Sequence, residues 1–238
     1  MVSSNIVGYQ KLTLSAGYTI VGSQFLNVGG TTKDIQELVA NGENTLPGID
    51  EQTYEFHANL RVWDGVGYDT YGWSDADDGD SIDWSESNSK WLDQKQENIV
   101  SVPLSTGTGV WIYTDQDATV TLSGEVPDDA AKSISVKAGY TLVANPFPTD
   151  ISIQSIQSDD LPGIDEQTYE FHSTIRVWDG VGYDTYGWSD ADDGDSIDWS
   201  ESNSKWLDQK QENIVNVTIG IGKGFWIYTD RDATITFQ

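Results

Sequence analysis

Residues 46–73 read LPGIDEQTYEFHANLRVWDGVGYDTYGW, and this run continues to Val100 before the whole stretch returns at 161–215. The two copies differ at three positions only, where Ala58, Asn59 and Leu60 become Ser173, Thr174 and Ile175. A repeat this long and this close to identity predicts two structural units of one kind within the chain.

The similarity extends to both sides of the repeated stretch. Gly109–Leu122 matches Gly224–Phe237, and Ala16–Val21 matches Ala138–Val143. We therefore expect two tandem modules related by internal duplication. The predicted boundaries are a first module at 1–124, with a short helical insertion near 31–41, a linker at 125–132, and a second module at 133–238.

The repeated stretch has the pattern of β-strands. Apolar and polar residues alternate from Gln52 to Trp63, and the pair Asp64-Gly65 that follows is a strong hairpin signal. Strands at short spacing predict an all-β fold, a sandwich or a barrel-like module. The alternation assigns these residues to the core: Tyr54, Phe56, Ala58, Leu60, Val62, Val110, Ile112, Val120 and Leu122, with Tyr169, Phe171, Ile175, Val177, Phe225, Ile227, Ile235 and Phe237 in the second copy.

One segment of the first module favours a helix. In Thr31–Gly42, Thr31 and Asp34 have the spacing of a capping box, Ile35 and Leu38 share a face, and Gly42 is a stop signal. The corresponding segment of the second module is shorter, so we interpret this helix as an addition to the β framework.

The order of motifs in the second half resembles a module found in tandem in secreted bacterial surface proteins. The motifs are AGYTLV (138–143), NPFP (145–148), RVWDGVGY (176–183), GKGFWIY (222–228) and DATITF (232–237). These are framework residues, so the resemblance implies a β-rich extracellular module without specifying a ligand. The first half departs from it at Gly22–Phe25, where the second has Ala144–Phe147.

The composition excludes several classes of partner. The net charge is −27, most of it within the two repeated stretches, and such a chain repels nucleic acid and anionic membranes. Without cysteine, neither a disulfide nor a thiolate metal site is possible. No apolar run is long enough for membrane insertion, and the first nine residues lack the pattern of a signal peptide. We expect the protein to be extracellular or at the cell surface.

Two acidic runs are the candidate metal sites. Their carboxylates repel one another unless a cation offsets the charge, and calcium binds six to eight oxygen ligands. The predicted cofactor is therefore calcium, and the alternative is a solvated acidic turn, since the spacing is not that of an EF-hand. The candidate ligands are Asp75, Asp77, Asp78, Asp80 and Asp83, with Asp190, Asp192, Asp193, Asp195 and Asp198 in the second copy.

The aromatic residues suggest a second kind of site. A flat ring stacks on a sugar face, whereas polar neighbours bond its hydroxyls, so the polar face of the alternating strand is a candidate carbohydrate surface. The alternative is a solvated strand face that ends in a half-buried tryptophan. The residues are Glu55, His57, Asn59, Arg61 and Trp63, with Glu170, His172, Thr174, Arg176 and Trp178 in the second copy.

Catalytic patterns are weak. Each copy has one histidine on a polar face, and no serine lies in a nucleophile elbow. The sequence therefore favours a non-enzymatic extracellular structural protein that is adhesive or self-assembles into filaments through β-edge contacts, with itself as partner. A carbohydrate-binding protein with two repeated sites for an extracellular glycan is the alternative, and a glycan-cleaving enzyme is the third class.

Overall fold

The computed structural model of the chain describes residues 7–27, 29–39, 44–50, 52–75, 89–128, 131–165, 167–190 and 204–238. Within these ranges the protein is all-β, as predicted, apart from one short helix, α1 (Ile35–Leu38), and a 3-10 turn, Ile153–Ser155. In the same ranges, no helix has the length and apolar character that a bilayer crossing requires.

Nineteen strands are present in the described residues. The first half of the chain contains β1 (Val7–Leu14), β2 (Gly17–Gly22), β3 (Lys33–Asp34), β4 (Ala58–Trp63), β5 (Tyr68–Ser74), β6 (Lys90–Leu92), β7 (Pro103–Leu104), β8 (Gly109–Thr114) and β9 (Ala118–Glu125). The second half contains β10 (Lys132–Val136), β11 (Gly139–Ala144), β12 (Ile151–Ser152), β13 (Ile156–Gln157), β14 (Ser173–Trp178), β15 (Tyr183–Ser189), β16 (Lys205–Leu207), β17 (Thr218–Ile219), β18 (Gly224–Thr229) and β19 (Ala233–Phe237). We call these halves the first and second modules.

Each module is built on one five-stranded antiparallel sheet. The strand order is β2-β8-β4-β5-β6 in the first module and β11-β18-β14-β15-β16 in the second. The registers correspond as well, because Leu60 pairs with Tyr71 and Ile112 just as Ile175 pairs with Tyr186 and Ile227. The repeated sequence thus gives the same sheet twice.

The predicted hairpin is present between β4 and β5. The Asp64 carboxylate accepts hydrogen bonds from the backbone N–H groups of Val66 and Gly67, each at 2.7 Å. Gly65, which follows Asp64 in this turn, has a φ of 104°, a conformation in which a side chain would be strained. Asp179 closes the matching turn of the second module in the same way.

The inner face of each sheet is covered by a second layer. In the first module this layer is the β1-β9 pair with α1, and in the second it is the sheet β10-β19-β13. Most of the predicted core is confirmed as buried: Leu60, Val110, Ile112, Val120, Leu122, Ile175, Phe225, Ile227, Ile235 and Phe237. Half-buried Val62 and Val177 pack against these cores.

The assignment of Tyr54 and Tyr169 to the core is wrong, since they are 54% and 55% exposed. Strand β4 begins at Ala58, and the residues before it form a turn around Asp50. The Asp50 carboxylate accepts from the N–H groups of Gln52 and Thr53, and the Tyr54 N–H donates to the Asp50 carbonyl. This turn gives Tyr54 a φ of 59°, so the alternation of the strand does not extend back to it.

Phe56, which was predicted to lie in the core, is half-buried on the outer face of the sheet instead. Its ring lies over Gly72, where a Cβ atom would come within 2.1 Å of the ring. Gly72 pairs with Asn59, whose side chain alternates with that of buried Leu60. Phe56 therefore covers the outer face of the sheet, and Phe171 does the same over Gly187.

The helix in the insertion is shorter than predicted. Asp34, rather than Thr31, is its N-cap, and the capping box joins Asp34 to Glu37. Thr31 cannot be the N-cap, because Lys33–Asp34 are extended and pair with Pro103–Leu104. The helix presents Gln36, whose amide bonds the backbone of Trp91 and Val100, and Gln154 in the 3-10 turn of the second module bonds Trp206 and Val215 likewise.

Candidate binding groove between the modules

The outer faces of the two five-stranded sheets pack against each other. Their buried centre consists of Ile20 and Trp111 from the first module with Leu142 and Trp226 from the second. These four side chains alternate along their strands with residues of the inner cores. Each sheet is thus apolar on both sides where the modules meet, which is why tryptophan occurs on the face opposite the core.

Backbone atoms approach closely at this junction. The Gly22 N–H donates to the Gly222 carbonyl at 3.2 Å, and the Ala144 N–H donates to the Gly107 carbonyl at 2.8 Å. A Cβ atom on Gly22 would lie 2.2 Å from the Cβ of Ala144. Glycine at position 22 is therefore required by the close approach of the second module.

The contacts across the junction are reciprocal. The indole Nε1 of Trp63 donates to the carbonyl of Tyr140 at 2.8 Å, and that of Trp178 donates to the carbonyl of Tyr18 at 3.0 Å. Trp63 packs edge-on against Trp226, with ring centroids 5.4 Å apart, and Trp178 packs in the same way against Trp111 at 5.8 Å. Equivalent residues make equivalent contacts, which is the property of a two-fold interface.

Two aromatic pockets lie side by side along this junction, and we call them together the inter-module groove. One has a volume of about 260 Å³ and the other about 220 Å³. Both modules contribute to each pocket, and Tyr68 and Tyr183 belong to both. The first pocket is lined by Trp63, Tyr68, Tyr140, Arg176, Tyr183 and Trp226, and the second by Tyr18, Arg61, Tyr68, Trp111, Trp178 and Tyr183.

One arginine lines each pocket, stacked on a tyrosine. The guanidinium carbon of Arg61 lies 4.8 Å from the centre of the Tyr18 ring, and that of Arg176 lies 5.0 Å from the Tyr140 ring. The Nε atoms of both arginines are buried and make no hydrogen bond. Neither guanidinium has a carboxylate within 4.0 Å in the described part of the chain.

The two shared tyrosines present hydroxyl groups in the groove. Trp111 Nε1 donates to the Tyr68 hydroxyl at 3.1 Å, and Trp226 Nε1 donates to the Tyr183 hydroxyl at 3.3 Å. Burial raises the pKa of both hydroxyls above the usual value, so they are neutral near pH 7. Because each hydroxyl oxygen accepts from an indole, its own proton is left to donate to a ligand.

The structure brings together four of the ten predicted carbohydrate-binding residues. Arg61, Trp63, Arg176 and Trp178 line the groove. Asn59 and Thr174 lie earlier on the same strands; their side-chain oxygens Oδ1 and Oγ1 are buried without a hydrogen bond.

The remaining four predicted residues lie before strands β4 and β14 rather than on them. Glu55 and Glu170 are exposed, and their carbonyls accept from Asp50 and Asp165. His57 Nδ1 bonds the Asp115 carboxylate, with Asp50 3.7 Å from its Nε2, and His172 has the same arrangement. These histidines join a turn to a neighbouring loop and do not line the groove.

Sequence reasoning did not assign six residues of the groove: Tyr18, Tyr68, Trp111, Tyr140, Tyr183 and Trp226. Their signal was present in the repeat. Trp111 and Trp226 lie between apolar neighbours on strands whose inner face is already filled, so large apolar side chains there require a partner outside the module. A strand that is apolar on both faces predicts burial on both faces.

Most of the candidate calcium ligands fall outside the described residues, which include only Asp75 and Asp190 of the ten. The Asp190 carboxylate accepts from the Gly163 N–H at 3.1 Å. Within the described ranges no group of three or more potential ligands is close enough to hold a metal ion.

Comparison with known proteins gave no match to the chain, whether with protein-family models, with curated proteins or with solved structures. The interpretation of the groove therefore depends on its geometry.

Proposed function

We propose that the protein is a non-enzymatic, extracellular carbohydrate-binding protein whose binding site is the inter-module groove. The observation that carries this proposal is the pair of adjoining pockets lined by tryptophan, tyrosine and arginine. Small-molecule sites are concave and largely apolar, with a few polar groups that fix orientation, and the groove has this character.

The side chains of the groove suit a sugar. Aromatic faces supply apolar contact to the C–H groups of a pyranose ring, and the rings here are held in place by edge-on or tilted packing against one another. The Tyr68 and Tyr183 hydroxyls, with the guanidinium groups of Arg61 and Arg176, supply hydrogen bonds for sugar hydroxyls. Since these groups are fixed before a ligand arrives, binding costs little conformational entropy.

The two pockets form one site rather than two independent ones. Tyr68 and Tyr183 line both pockets, so a ligand in one contacts residues of the other. An oligosaccharide of at least two residues, one in each pocket, fits this arrangement. The sequence predicted two repeated sites, and we propose one shared site instead.

The test is binding of oligosaccharides to Tyr68→Ala, followed by intrinsic tryptophan fluorescence and calorimetry. Tyr68 is 41% exposed and borders both pockets, so its loss should weaken binding at least about tenfold, the effect of removing one aromatic contact and one hydrogen bond. Tyr183→Ala should behave in the same way, because it occupies the equivalent position.

Tyr54→Ala is the matched control, since Tyr54 is an exposed tyrosine of the same repeat that does not line the groove. Its affinity should equal that of the unaltered protein. If Tyr54→Ala and Tyr68→Ala weaken binding equally, or if a broad glycan panel gives no binding at all, the groove is not a carbohydrate site.

Self-assembly through a strand edge is the second candidate, and one observation favours it. In the described residues β1 pairs only with β9, which leaves one edge free, and Val7 and Tyr9 on it are 66% and 76% exposed. Unpaired edges are templates for association. The last strand does not share this property, because β19 is paired on both sides, by β10 and β13.

The contact between the two modules, if it were repeated between copies of the protein, would not build a filament. Its contacts are reciprocal, and a two-fold contact closes instead of propagating. Assembly would therefore have to use β1. Light scattering of Tyr9→Lys against the unaltered protein tests this: loss of large particles supports edge assembly, and a monomer at every salt concentration in both proteins excludes it.

A further inference from the structure

We propose that the ligand of the groove is an acidic saccharide, and that Arg61 and Arg176 each bind one carboxylate of it. This inference rests on the proposed carbohydrate site and specifies its substrate class as oligosaccharides that contain uronic acid residues. It follows from the charge of the groove within a strongly acidic protein.

Arg61 and Arg176 are the cations that line the groove. The sequence has 39 aspartate and glutamate residues against 12 lysine and arginine residues, so positive charge is scarce in this chain. Among the described residues neither arginine has a carboxylate partner, and the Nε atom of each is buried without a hydrogen bond.

The surroundings of each arginine leave its charge poorly compensated. A tyrosine ring covers one face of the guanidinium, and the buried Nε–H has no acceptor. Burying a charged donor without a partner is costly, and an anion beside the remaining nitrogens would offset that cost. The tyrosine ring also holds the guanidinium carbon in place, and the planar fork of an arginine matches the two oxygens of a carboxylate.

The reciprocal arrangement of the two arginines determines how many carboxylates the ligand carries into the groove. Arg61 belongs to one pocket and Arg176 to the other, and the pockets adjoin. A ligand with one sugar in each pocket therefore meets one arginine per sugar. A saccharide with carboxylates on neighbouring residues satisfies both, and the net charge of −27 disfavours long polyanions that extend beyond the groove.

The experiment compares trisaccharides of galacturonic, glucuronic and mannuronic acid with their carboxyl-reduced neutral counterparts, by calorimetry. At least one uronate should bind at least about tenfold more tightly than its neutral counterpart, the difference expected for a hydrogen-bonded charge pair. Arg61→Gln and Arg176→Gln should each weaken uronate binding by about that factor more than they weaken binding of the neutral counterpart. Arg231→Gln, which alters an exposed arginine outside the groove, is the matched control.

The outcomes separate this inference from the proposed function. If neutral sugars bind as tightly as uronates and the groove Gln variants match Arg231→Gln, the acidic ligand is excluded but the carbohydrate site stands. A sulfated trisaccharide that binds more tightly than every uronate would overturn the carboxylate assignment. If no sugar binds, both proposals fail.

Discussion

The indole of Trp63 donates its hydrogen to the backbone carbonyl of Tyr140, 77 residues away in the chain, at 2.8 Å. Trp178 makes the equivalent bond to Tyr18 at 3.0 Å. We expect Trp63→Phe and Trp178→Phe each to lower the free energy of unfolding by about 1 kcal/mol, the net value of one hydrogen bond. Urea denaturation measures this, and unequal effects of the two variants would contradict the reciprocal junction.

Gly22 tests how closely the modules approach. Its Cβ would lie 2.2 Å from Ala144 Cβ and 2.7 Å from the Thr108 carbonyl, so Gly22→Ala should destabilise the protein by about 1–3 kcal/mol through overpacking. Adding Ala144→Gly should restore part of the loss. Gly67→Ala is the control, because nothing lies within 4 Å of its added methyl group and its stability should be unchanged.

Gln36 and Gln154 hold the outer end of each five-stranded sheet. Gln36 Nε2 donates to the carbonyls of Trp91 and Val100 at 2.8 and 2.7 Å, and its Oε1 accepts from the Trp91 N–H at 3.0 Å. We expect Gln36→Ala to cost about 1–3 kcal/mol, because it leaves these groups unpaired.

Gln36→Glu gives a sharper comparison for the same contact. It keeps an acceptor for the Trp91 N–H but loses both donors to the carbonyls. It should therefore be at least as destabilising as Gln36→Ala near neutral pH, measured by thermal unfolding, and should recover stability in acid as the carboxylate protonates. A Glu variant as stable as the unaltered protein would contradict the assigned bonds.

We expect the protein to lose stability in acid because of the carboxylates of Asp64 and Asp179 in the two hairpin turns. The backbone N–H groups of Gly67 and Val66 lower the pKa of Asp64, and those of Gly182 and Val181 lower the pKa of Asp179. Because the folded pKa lies below the usual 3.8, this stabilisation is present above pH 3.8 and is lost as the pH falls through the folded value. Denaturation midpoints measured from pH 5 to 2 should fall less steeply in Asp64→Asn/Asp179→Asn, and parallel curves would contradict this origin.

Calcium at the acidic runs stays a prediction of the sequence. If the runs bind calcium only in the folded state, chelator should lower the melting temperature and added calcium should restore it. Asp77→Asn/Asp78→Asn with Asp192→Asn/Asp193→Asn should abolish the response to calcium, whereas Asp117→Asn should not. Melting that is insensitive to chelator, together with no heat of calcium binding, would leave only the acidic-turn interpretation.

The parts of the fold that local patterns specify could be predicted from the sequence. The alternation along Ala58–Val62 and the Asp64-Gly65 turn correctly indicated a hairpin with Leu60 in the core, because both depend on residues close in the chain. The same alternation failed at Tyr54, where hydrogen bonds to Asp50 impose a turn. Such competition between a turn and a strand is not visible in apolar spacing.

Four of the ten residues that line the candidate site could be predicted from the sequence. Arg61 and Trp63 were identified from the polar face of one strand, but part of each of their pockets comes from the other module. Trp178 contributes to the same pocket as Arg61 only because two outer faces meet, and no local pattern encodes that meeting. Apolar residues on both sides of β8 and β18 were the available clue.

The groove depends on two halves that one covalent connection holds together. Strand β9 ends at Glu125 and β10 begins at Lys132, so only the six residues 126–131 of the sequence connect them. A short tether of this kind keeps one half at an effective concentration on the order of millimolar relative to the other. A pocket shared between two separate copies would be lost once they were diluted below their dissociation constant, whereas the two halves of one chain stay together at any dilution.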